Sequence, residues 1–198
     1  MNIQLLITFL LYLFGSGHSC TEHSCAAHTA IVHAATLDDD SRIEWSANHR
    51  LTWNDFQATP PYNKRWTSNI AAITSSVIQY RYSCENGYLE YDIKSIFLPD
   101  ESWVKDNART DDYLTHEQLH FDITELFARK LRNRLLGKSF KCDEVQRFED
   151  EIKVSLDEWL KVQKTYDFET SYSLDLPEQR KWNDYVERLL NIYEASAE

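Results

Sequence analysis

His116, Glu117 and His120 have the residue types and the spacing for metal-dependent hydrolysis. Residues four apart on a helix lie one above the other, so both imidazoles can face a single ion. Zinc lowers the pKa of a water towards about 7, and the carboxylate next to the first histidine can take that water's proton. The His-Glu-x-x-His spacing therefore predicts that His116 and His120 ligate one Zn2+ and that Glu117 is the general base of a metallopeptidase.

The helix that has to carry this motif is predicted from Tyr113 to Leu136. Residues recur on one face at steps of three and four, the period of an amphipathic helix. That face comprises His116, Leu119, His120, Ile123, Phe127 and Leu131. Thr110 is suited to the N-cap and Gly137 to the residue after the helix.

Two carboxylates of this helix are predicted to face away from the two histidines. Asp122 and Glu125 follow His120 by two and five residues, which rotates both off the histidine face. Asp122 suits a supporting or surface position. Glu125 and Arg129 are four apart, and we expect a modest surface ion pair between them.

Strands are predicted before this helix and further helices after it. Residues 70–82 are rich in Ile, Val, Ser and Tyr and alternate in polarity from Ile78 onward, and residues 88–98 form the predicted return strand. Asn86-Gly87 between them is typical of a tight hairpin turn. A second helix is predicted from about Asp143 to Lys164 and a third from about Leu176 to Ala195. The fold class is therefore α+β: an N-terminal antiparallel sheet of three to four strands, a long active-site helix and two further helices.

The N-terminal residues have the pattern of an export signal. Residues 4–14 are an apolar run of signal-peptide length, which predicts a signal peptide over residues 1–19. Residues 20–42 are predicted to be a linker, and residues 43–198 to form the zinc-peptidase-like domain. Lipidation of Cys20 after cleavage is the alternative reading, and it would anchor the protein to the envelope. Export permits disulfides, and Cys84–Cys142 is the preferred pair because both lie in the folded region.

The net charge limits the class of partner. The formal net charge is −11, and no basic face that could neutralise phosphates is visible. A nucleic-acid partner is therefore not expected, and a peptide or protein substrate is. The predicted location is periplasmic or extracellular.

Several blocks of the sequence resemble a known bacterial family. The stretch "HEQLHFDITELFARKLR" (116–132) is similar to the domain-of-unknown-function family 922, whose members are regarded as secreted zinc-dependent proteases. The blocks "LTWNDF" (51–56), "SWV" (102–104), "YDFET" (166–170) and "EQRKWNDYV" (178–186) agree in order. The resemblance covers roughly residues 43–195, and it implies a secreted or envelope protein with a zincin-like fold and a zinc peptidase centre.

The third ligand is where this sequence departs from that family. The family usually carries a histidine two residues past the threonine of "YDFET", and here that position is Tyr172. Tyr172 is predicted to ligate zinc through its phenol oxygen, or to stabilise the oxyanion as a donor. A carboxylate, Glu169 or Asp167, is the second reading, and a histidine of the N-terminal tail is the third. In the fourth the ligand is lost, and the protein is a catalytically degenerate envelope binding module of the same fold.

Overall fold

The structure is a computed structural model that describes residues 42–61 and 70–194. The predicted signal peptide, Cys20 and the tail histidines His23, His28 and His33 lie outside the described residues, as does nearly all of the predicted linker. Among the residues described, no helix is long and apolar enough to cross a membrane.

Within the described residues, five strands precede the three α-helices. They are β1 (Ile43–Glu44), β2 (Ala72–Ile73), β3 (Ser76–Glu85), β4 (Tyr88–Phe97) and β5 (Trp103–Val104). The long strands β3 and β4 form an antiparallel hairpin whose turn residues Asn86 and Gly87 have φ of 52° and 86°, as the sequence predicted. β1 pairs with the other side of β4, which gives the order β1-β4-β3, and β2 pairs with β5 separately.

A disulfide joins this hairpin to the helical half of the chain. Cys84 near the end of β3 is bonded to Cys142, as predicted, over a sequence separation of 58 residues. Closing a loop of that length removes chain entropy from the unfolded state, which stabilises the fold by about 4 kcal/mol. The bond also fixes where the chain enters the second helix.

Three α-helices in the part of the chain that the structure describes complete the α+β fold. They are α1 (Asp111–Leu135), α2 (Val145–Glu169) and α3 (Leu176–Glu194). The Thr110 hydroxyl caps α1 by accepting from the backbone N–H of Tyr113, and Gly137 follows the helix with a φ of 73°. α2 runs five residues beyond its predicted end at Lys164. Its last turns stay helical because the fully buried Tyr166 packs there against α1.

α1 is the central element of the fold. It packs against strands β3 and β4 and against helices α2 and α3. Its apolar residues Ile123 and Leu131 are completely buried, and the polar residues His116 and Glu117 are only 4% and 5% exposed. His116 and Glu117 therefore lie inside the protein, on the helix that packs against both the sheet and the other two helices.

Candidate metal centre

Three potential ligand atoms converge between α1 and α2. His116 Nε2 lies 3.3 Å from His120 Nε2, and Asp167 Oδ1 lies 3.2 Å and 3.0 Å from these two nitrogens. Two neighbouring ligands of a tetrahedral zinc are about 3.3 Å apart when each metal–ligand bond is about 2.0–2.1 Å long. The triangle thus has the size that a shared zinc ion requires. Three protein ligands also leave the fourth position open, as in catalytic zinc sites.

Two helices supply these atoms. His116 and His120 lie one turn apart on α1, and Asp167 enters from the last turns of α2. Tyr166 next to it stacks on the His116 ring at 4.6 Å and meets the His120 ring edge-on at 4.9 Å. The aromatic packing holds the two helices at the separation that the triangle needs.

The opposite nitrogens of both rings face amide oxygens. His120 Nδ1 is 2.7 Å from Gln163 Oε1, and His116 Nδ1 is 3.0 Å from Gln179 Oε1. The Tyr166 hydroxyl lies 2.8 Å from the same Gln179 oxygen. Burial raises the pKa of Tyr166 far above its usual value, so this phenol stays a neutral donor. Both Nε2 atoms thereby face Asp167 Oδ1.

The charges of the cluster fit a cation site. Burial is the largest influence on the His120 pKa and lowers it, but the charge and hydrogen bond of Asp167 and the charge of Glu117 outweigh it. The pKa is raised to about 9. Burial also acts to raise the pKa of Asp167, yet the two histidines hold it well below its usual range. In the absence of metal, a proton on His120 supplies the positive charge between these groups.

Glu117 has a buried oxygen without a partner. Its side chain is 5% exposed, and Oε2 has no hydrogen-bond partner among the described residues. Burying a carboxylate oxygen without a hydrogen bond destabilises the protein, and a bound group that donates a hydrogen bond to this oxygen removes the penalty. This orphaned oxygen and the imidazole–imidazole–carboxylate donor set both fit a zinc ion with a water.

Tyr172 and Glu169 lie beside the triangle in sequence, and the structure gives them other surroundings. Tyr172 is 53% exposed, and its φ of 54° belongs to a turn in which Ser171 and Ser173 also have positive φ. The Glu169 carboxylate accepts from Trp182 Nε1 at 2.9 Å. The carboxylate brought to the histidines is that of Asp167, and a ligand or donor role for Tyr172 stays a prediction.

Sequence reasoning missed Gln163, Tyr166 and Gln179. Gln163 and Tyr166 lie four residues and one residue before Asp167, on the face of α2 that meets α1. If the predicted second helix had extended past Lys164, the polar residues leading to Asp167 would have indicated this face. Gln179 lies in the block "EQRKWNDYV" (178–186), but nothing in the sequence connects that block to the histidines.

Asp122, as predicted, is not part of the cluster. It accepts from Trp45 Nε1 at 2.8 Å, from Gln118 Nε2 at 2.8 Å and from Arg50 at 3.1 Å. The contacts with Trp45 and Arg50 attach the described segment 42–61 to α1.

Comparison with known proteins adds no relative. No family model, curated protein or solved structure matches this chain. The resemblance of residues 116–132 to family 922 therefore stays a prediction.

Proposed function

We propose that the protein is a secreted, zinc-dependent metallopeptidase. The observation that carries the proposal is the triangle of His116 Nε2, His120 Nε2 and Asp167 Oδ1, with sides of 3.0–3.3 Å. Export is supported by the apolar run of residues 4–14 and by the Cys84–Cys142 disulfide, which oxidising compartments favour.

His116, His120 and Asp167 would hold the metal, and Glu117 would move the proton. Zinc, when bound, supplies a Lewis acid and makes water acidic enough to attack near neutral pH. Glu117 then takes the proton of the attacking water and gives it to the leaving amine. The burial of Glu117 excludes bulk water from this transfer.

The sheet supports a peptide as the substrate. Within the described residues β3 is an edge strand of the three-stranded sheet. The residues at its start touch the motif helix: Thr74 Oγ1 donates to Glu117 O at 3.0 Å, and Ser76 Oγ lies 2.7 Å from Thr124 Oγ1. An extended peptide can add to such an edge by backbone pairing and so reach the metal centre.

The test is the metal content of the purified full-length chain, followed by assay on a peptide library. We expect about one zinc per chain and metal-dependent cleavage that a chelator removes and added zinc restores. A chain that carries no zinc, and whose Tyr172→His variant does carry it, would support the degenerate binding module instead. One zinc per chain without cleavage of any peptide would contradict the peptidase activity but would still support the metal site.

Zinc affinity is expected to rise with pH. The pKa of His120 in the metal-free protein is raised to about 9, so at pH 6–8 zinc has to displace its proton. Displacing one proton strengthens apparent affinity by about tenfold for each pH unit below that pKa. Titration against a competing chelator at pH 6, 7 and 8 measures the slope. A pH-independent affinity would show that no ligand proton is displaced.

A further inference from the structure

Gln163 has an orientation that its neighbours determine. Its amide nitrogen lies 2.9 Å from His120 O and 3.2 Å from Thr124 Oγ1. A backbone carbonyl can only accept, so the end that faces it must be the NH2 group. The amide oxygen is therefore the atom 2.7 Å from His120 Nδ1, and that nitrogen must carry a hydrogen.

Gln179 presents the same chemistry to the other histidine. Its Oε1 lies 3.0 Å from His116 Nδ1 and 2.8 Å from the Tyr166 hydroxyl, while its nitrogen donates to Asn183 Oδ1 at 2.9 Å. Gln179 is 4% exposed, so water does not compete for these bonds. One buried oxygen thus accepts from the ring and from the phenol.

A neutral imidazole binds a metal only through the nitrogen that lacks a hydrogen. In free solution both tautomers are present, and the hydrogen bond at one nitrogen decides which nitrogen is left for the metal. Here an acceptor at each Nδ1 leaves Nε2 of each ring as the nitrogen that faces Asp167 Oδ1 and that can bind a metal once it carries no proton. The two acceptors come from different helices, Gln163 from α2 and Gln179 from α3.

We propose that Gln163 and Gln179 are positioning residues of the metal site, whose amide oxygens hold His120 and His116 in the Nδ1–H tautomer for ligation through Nε2. The inference rests on the proposed metal function, and it assigns the residues that hydrogen-bond the two histidines on the side away from the metal. It also explains why two polar amides are retained among aromatic residues at the junction of three helices.

The test compares zinc affinity in Gln163→Met, Gln163→Glu and Gln146→Met with that of the unmodified chain, using a competing chelator. Methionine keeps the volume of glutamine and removes the acceptor, whereas glutamate keeps an oxygen opposite Nδ1. We expect Gln163→Met to lose about 10- to 100-fold in affinity. Gln163→Glu gives up the amide donor to His120 O but keeps the acceptor at Nδ1, so it should lose less than Gln163→Met. Gln146, an exposed residue of the same helix that bonds only Asp150 among the described residues, is the matched control and should change nothing.

The bound nitrogen is a second readout, which packing alone would not move. In the zinc-loaded, 15N-histidine-labelled chain, two-bond 15N–1H correlations should show Nε2 as the bound nitrogen of both rings. In Gln163→Met the His120 pattern should weaken or change to Nδ1 ligation, and Gln179→Met provides the same test at His116. If Gln163→Met and Gln179→Met both bind zinc as tightly as the unmodified chain, this inference is wrong and the proposed function is unaffected. Equal losses of zinc affinity in Gln163→Met and Gln163→Glu would also overturn the inference. An unmodified chain that binds no zinc would overturn both the inference and the proposed function.

Discussion

Replacing Glu117 with Gln is expected to lower kcat for peptide hydrolysis by about 100- to 10,000-fold while zinc stays bound. A positioned general base contributes acceleration of that order, and an amide of the same shape cannot accept the proton of water. Glu117 is outside the ligand triangle, so zinc content should remain near one per chain. The measurements are kcat on the best library peptide and zinc content of the same preparation.

The matched control for this variant is Glu169→Gln. It removes a carboxylate two residues from Asp167 whose hydrogen bond goes to Trp182 and not to the histidines. Its kcat should stay within about threefold of the unmodified chain, as expected for a group outside the proton-transfer path. If Glu117→Gln hydrolyses peptide as fast as this control, Glu117 is not the base.

The orphaned Oε2 of Glu117 gives a second readout for the same variant. A buried carboxylate oxygen without a partner destabilises the metal-free protein, and a neutral amide is less costly to bury. The metal-free variant should therefore unfold at a temperature no lower than that of the unmodified chain. A gain in stability with a loss of activity is the pattern of a residue retained for function.

Local sequence patterns predicted the parts of the fold that local physics determines. Asn86-Gly87 predicted the hairpin because few residues accept two successive positive φ values. The spacing of His116 and His120 placed both rings on one face of α1 because helix geometry depends only on sequence separation. Neither prediction needed knowledge of a distant residue.

The sequence named Asp167 only as one alternative for a third ligand and could not place its carboxylate beside the histidines. Asp167 meets the histidines only because α2 continues beyond Lys164 and packs Tyr166 against α1, which is a tertiary contact across about 50 residues of chain. Glu125 and Arg129 do pair, at 2.8 Å, but the surface location expected of this pair is wrong for a related reason. Both are buried, at 7% and 9% exposure, and Arg129 donates to Leu190 O of α3, whose packing over α1 no local period reveals.

Replacing Asp167 with Asn is expected to weaken zinc binding by at least about 100-fold. Partners behind a metal ligand are worth about 10- to 100-fold in affinity, so removing the charge of a direct ligand should cost more. The neutral amide oxygen is a poor zinc ligand, and the variant also removes the charge that helps the site attract a cation. Chelator competition at pH 7.5 measures the change.

Tyr172→Phe and Glu169→Gln decide whether Asp167 is the third ligand. If Asp167 ligates the metal, both of these variants should bind zinc within about threefold of the unmodified chain, because neither touches a ligand. The opposite pattern, in which Tyr172→Phe loses zinc and Asp167→Asn keeps it, would make the phenol the ligand and require the exposed turn at 171–173 to fold inward on metal binding. Since that turn already places three successive residues at positive φ, such a rearrangement would release strain, and the metal-loaded and metal-free proteins would differ there in hydrogen exchange. With Asp167 as the ligand, the same turn should exchange alike in both states.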